Sequence, residues 1–166
     1  PNKWFIEQSR GADFVVHELF YTPEGLAQVL GWGARQATFV SSYIHTPPSG
    51  FGKIMAAVEP RLAVGYHTIR QPELDMMMIE EIREVYDGPL VIADDLMAWH
   101  ISKDSIVQRE VVSSERVQAP PTTDGYRRAK RSGEATYSDF TASGKWKGYQ
   151  PPPLPPAEPG AAPAGD

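Results

Sequence analysis

Three compact apolar runs constrain this chain more than anything else in it: Ala12-Asp13-Phe14-Val15-Val16, Leu62-Ala63-Val64-Gly65-Tyr66 and Pro89-Leu90-Val91-Ile92-Ala93. They are short, lack a strict apolar-polar alternation, and so read as strands covered on both faces. The segments between them carry helix signals. Thr22-Pro23-Glu24 is a cap followed by proline at the first helical position, starting a helix that Gly31 and Gly33 weaken. Pro47-Pro48-Ser49 opens another, with Phe51, Ile54, Met55 and Val58 at helical spacing up to the stop at Pro60. A longer one runs from Gln71-Pro72-Glu73 to about Tyr86, with Leu74, Met77, Met78, Ile82 and Val85 facing inward. Strands alternating with helices predict an α/β architecture in which helices lie against a sheet.

The flanks add less. Asn2 caps a short helix through about Ser9, and Gly11 closes it. Leu96 to Ile101 and Ile106 to Val112 read as two further strands around a turn near Lys103-Asp104. Residues 34–46 fit no single pattern.

The chain has 166 residues and 16 prolines. Nine of those prolines lie between Pro120 and Pro163, where aliphatic side chains are scarce. Little apolar surface is left there to offset the entropy of ordering. We therefore divide the chain into a folded body, residues 1–115, and a Pro/Gly-rich basic tail, residues 116–166, expected to be largely disordered. Within it Pro151 to Pro156 favours polyproline II, either as a stiff solvated tail or as a ligand for an SH3-type groove.

Charge divides along the same line. Residues 1–115 hold 9 basic and 16 acidic residues, net −7, and residues 116–166 hold 7 and 5, net +2. An acidic body argues against nucleic acid as a partner. Only the run Arg127, Arg128, Lys130, Arg131 could touch nucleic acid or acidic lipid, and a solvated basic patch is the blander account of it. No apolar run reaches the roughly 18 residues that cross a bilayer, so no membrane partner is expected and the chain reads as soluble, with cytoplasm and periplasm both open.

There is no cysteine. Disulfides, thiolate metal sites and thiol nucleophiles are all excluded, so any metal must be held by nitrogen and oxygen. The histidines become the candidates. His17 and His67 end strands, and His45 precedes a proline-started helix; in layered α/β folds these positions form the usual ligand crevice. His100 falls in mid-strand and reads as structural. Glu18 could orient an imidazole and stabilise its protonated form, or be a plain loop acid.

His17-Glu18 after a strand, His45-Thr46 before a helix, and the strand Arg61 to Tyr66 ending at His67 resemble the second half of the metallo-β-lactamase superfamily. The likeness is strongest to its ribonuclease Z and arylsulfatase-like branch. Tyr86 to Met97 further resembles the closing strands of guanitoxin-biosynthesis-type hydrolases of that fold, so the resemblance spans residues 1 to 112. It implies the second half of an αββα sandwich. It also implies that His67 binds one ion of a dinuclear, usually zinc, site, and that His45, partnered by Glu18, relays a proton to the leaving oxygen with His17 nearby. The chemistry implied is metal-dependent hydrolysis of a phosphodiester, sulfate ester or lactone in a small or medium substrate.

The family's His-x-His-x-Asp-His signature does not occur here. The expectation is therefore a fragment of such a hydrolase, inactive alone, binding zinc weakly or not at all, and needing the missing amino-terminal half of its domain as partner. Uncovered apolar surface would make it marginal or a homo-oligomer. The competing expectation is a non-catalytic α/β scaffold that recruits a partner through its Pro-rich basic tail.

Overall fold

The computed structural model describes residues 1–68, 72–110 and 138–157. Its element order begins with α1 (Lys3–Ser9), β1 (Phe14–Glu18), α2 (Pro23–Leu30) and α3 (Ala34–Phe39). A π-helical turn over Val40–Ile44 follows, then α4 (Pro48–Val58), β2 (Leu62–Tyr66), α5 (Pro72–Arg83) and β3 (Leu90–Ile92). β4 (Met97–Ile101), β5 (Ile106–Glu110) and α6 (Asp139–Ser143) complete it. No helix among the described residues is long and apolar enough to cross a membrane.

The three apolar runs become one parallel sheet in the order β1-β2-β3, with Val16 opposite Val64 and Gly65 opposite Ile92. Parallel neighbours need crossovers, which the intervening helices supply. The expected mixed α/β class therefore holds. β4 and β5 stand apart as an antiparallel hairpin, in which Trp99 pairs with Gln108.

The two sheet faces differ. Val15, Ala63 and Ile92 point into a core shared with Ile6, Phe51, Ile54, Met55, Val58, Leu74, Met78 and Ile82, so α1, α4 and α5 cover one face. Glu81 of α5 accepts a hydrogen bond from the Ser49 amide at 3.0 Å, satisfying a free donor at the start of α4, where Pro47 offers no side-chain cap. On the other face Phe14 meets Trp99 of the hairpin at 5.4 Å between ring centres, but Val16 and Tyr66 stay 46% and 47% exposed. The sheet is dry on one side and partly open on the other.

The loosely ordered tail expected after residue 115 does not hold for residues 138–157. Trp4 and Phe140 stack at 4.2 Å, the Lys3 amide donates to Gly144 O at 2.8 Å, and Tyr149 is buried. Aliphatic content was the wrong measure, because Phe140, Trp146 and Tyr149 supply large aromatic surface at few positions. The rest of that expectation, and the last residues of the strand expected to reach Val112, fall on residues 111–137 and 158–166, outside those described.

Candidate functional site

The site lies at the carboxyl end of β1 and β2. β1 delivers Glu18, and β2 ends at Tyr66 so that His67 is the next residue. His67 adopts φ 78°, a left-handed conformation costly for a residue with a β-carbon. Such strain persists where surrounding structure imposes it, and it clusters at functional sites. Gly65 allows the chain to fold over here: a β-carbon at that position would stand 2.6 Å from Leu19, which is fully buried just beyond Glu18.

His45 arrives differently. Residues 34–46, unassigned from sequence, form α3 and then the π-helical turn, whose final bond runs from the His45 amide to Val40 O at 3.0 Å. One π turn widens the helix and re-aims its last residue. The Phe20 amide donates to Thr46 O at 2.8 Å and the Leu19 amide to Tyr66 O at 2.8 Å, so the three segments are locked together.

The result is a cluster of Glu18, His45 and His67. His45 Nδ1 lies 2.6 Å from Glu18 Oε1, and Thr46 Oγ1 donates to Glu18 Oε2 at 3.3 Å. With Nδ1–H held by the carboxylate, Nε2 is the free atom of His45. The His45 ring is stacked on Phe20 at 4.1 Å and faces His67 at 5.1 Å between ring centres. Glu18 and His45 are both partly buried, with side chains 29% and 22% exposed, while His67 is exposed. A solvent-reachable imidazole braced by a carboxylate can carry a proton to or from a bound group.

The donor set also suits an ion. One ligand atom from each of Glu18, His45 and His67 lies within 4.8 Å of the others, the one such group among the described residues. Two imidazoles and a carboxylate match the preferences of zinc and neighbouring divalent metals.

His17 does not join this cluster. It precedes Glu18 in β1 and points to the opposite, helix-covered face, where its ring meets Phe5 at 5.0 Å and Phe51 at 6.2 Å. Its Nδ1–H donates to Glu18 O at 2.8 Å. Burial holds its pKa below the ordinary 6.5, opposed by that hydrogen bond and by the Glu18 charge. It is a half-buried histidine packed on the aromatic rings of the helix-covered face, since successive strand residues face opposite ways. His100 is exposed on β4 opposite Val107. Phe20, which packs on both site imidazoles, was missed from sequence; its only signal was an aromatic residue two positions after Glu18.

No protein-family model matches the chain, and no curated protein matches its sequence.

Proposed function

We propose that Glu18, His45 and His67 belong to the catalytic centre of a metal-dependent hydrolase of ester-like bonds, built on the second half of a metallo-β-lactamase-type αββα sandwich. The observation that carries this reading is the 2.6 Å contact between His45 Nδ1 and Glu18 Oε1 beside a strained strand-end histidine. The helix-covered parallel sheet with a partly open second face also suits half of a two-sheet sandwich.

His67 would hold an ion through its imidazole. When bound, divalent ions lower the pKa of coordinated water and stabilise charge on a phosphoryl, sulfuryl or acyl oxygen. His45 then gives the proton on Nε2 to the leaving oxygen. Glu18 keeps the ring oriented and stabilises the imidazolium while it is charged. Phe20 fixes the ring plane. One imidazole cannot hold two ions, so the remaining ligands of a dinuclear zinc centre come from residues outside this cluster.

The test pairs zinc titration by calorimetry with hydrolysis of a phosphodiester, a sulfate ester and a lactone by the full gene product. His67→Ala is expected to weaken zinc binding at least about tenfold. His45→Ala should spare zinc and lower turnover by about 10²–10⁴-fold. Equal zinc loss in both variants would move His45 into the ligand set. Hydrolysis indifferent to zinc would remove the metal-dependent reading altogether.

A further inference from the structure

The Pro-rich stretch lies against the body in a regular way. Pro151, Leu154 and Pro155 are half-buried, while Pro152, Pro153, Pro156 and Ala157 are exposed. That is the three-residue period of a polyproline II helix laid on a surface. Two body side chains read its backbone: the Tyr43 hydroxyl donates to Pro152 O at 2.8 Å, and Arg35 donates to Pro155 O at 2.7 Å. The acceptors are three residues apart, one polyproline II turn or about 9 Å. The donors are eight residues apart along α3 and the π turn, about 12 Å at the rise of an α-helix, a gap that two long side chains close.

The chemistry fits this ligand class. Five of the six residues Pro151 to Pro156 are proline, so the segment has few amides to donate, and its carbonyls are left for outside donors. Phe39 stacks on Tyr43 at 5.9 Å between ring centres, and both rings remain about two-fifths exposed, at 39% and 45%. Aromatic surfaces with hydroxyl and guanidinium donors are a general means of docking preformed proline helices. No residue from 151 to 157 is buried, whereas Tyr149 just before them is, with Lys53 5.5 Å from its ring centre. The anchor is Tyr149; the proline segment beyond it is held at the surface.

We infer that Arg35, Phe39 and Tyr43 form a polyproline II recognition surface, filled in cis by residues 151–156 and open to exchange with a leucine-bearing proline-rich segment of another protein. The tethered segment competes at an effective concentration in the millimolar range. The surface therefore responds only when the resident segment is released or outcompeted.

The experiment uses the full chain and a fluorescent synthetic peptide of residues 148–157, read by anisotropy. Leu154→Asp, which puts a charge on the docked face, should release the resident segment and raise peptide affinity at least about tenfold over wild type. Adding Arg35→Ala and Tyr43→Phe to that variant should lower it again by about tenfold, as expected for two lost hydrogen bonds. A peptide with its prolines changed to alanine should not bind. Pro151→Asp serves as a second release variant, and Tyr43 ring signals in wild-type protein should move when the peptide is added at millimolar concentration. Equal affinity for wild type and both release variants, no binding to any of them, or binding indifferent to Arg35 and Tyr43 would each overturn the inference.

Discussion

His17 and Glu18 are adjacent in one strand and occupy opposite physical regimes. His17 turns into the helix-covered face, between Phe5 and Phe51, where burial disfavours its charged form. Glu18 turns to the partly open face and end of the sheet, where His45 and Thr46 both donate to it. A histidine is therefore a packing residue at one position, while at the next a carboxylate orients another histidine, His45. What separates them is which sheet face is dry, not residue type.

That contrast can be broken from the dry side first. Phe51 is fully buried, so Phe51→Ala is expected to cost about 3–5 kcal/mol in urea denaturation. His45→Ala should cost less than half as much. Comparable losses would mean that the open end is as much a core as the helix face is.

Next in size is Gly65→Ala. Its new β-carbon would meet Leu19 at 2.6 Å, and the overpacking should cost about 1–3 kcal/mol by the same measurement. It should also shift the Glu18 and His45 side-chain signals in NMR spectra, because Leu19 follows Glu18 directly. Destabilisation without such a shift would uncouple the site from the fold beneath it.

His67→Gly tests the strained end. Relief of the left-handed conformation is worth about 1–2 kcal/mol, and the freer unfolded glycine offsets about 0.4–1 kcal/mol of it. A net stabilisation of up to about 1.6 kcal/mol, with loss of zinc affinity, would show strain kept at a working position. A destabilised variant would mean that the His67 side chain itself supports the fold.

The smallest effect concerns pH. The folded pKa of His17 lies below its ordinary 6.5, so the unfolded chain takes up the proton first. Its contribution to stability is present above pH 6.5 and is lost as pH falls toward the lowered folded value. Melting temperature should therefore drop between pH 7 and 5, and His17→Gln should flatten that dependence. An unchanged slope would assign the acid sensitivity to other groups.

Much of the framework was legible in advance because local signals and tertiary demands agree. The three apolar runs became β1, β2 and β3, and the Pro23, Pro48 and Pro72 starts each opened a helix. The helix expected to reach Tyr86 ends at Arg83, with Tyr86 joined back to Ile82 by a backbone bond. Residues 34–46 resisted, since a π turn has no local signature and exists through the surroundings that hold it. The aromatic docking of residues 138–157 resisted for a related reason: sparse large rings gain their energy from distant partners, which composition does not reveal.

By itself the sequence determined the alternation of strands and helices, the absence of thiol chemistry, and a short set of histidines and acids to consider. The tertiary structure alone decided which of them meet. Side chains alternate across a strand, so His17 and Glu18 had to part, but only the stacking of α1, α4 and α5 on one face made that side dry. Only the π turn carried His45 across 27 residues of sequence to within 2.6 Å of Glu18.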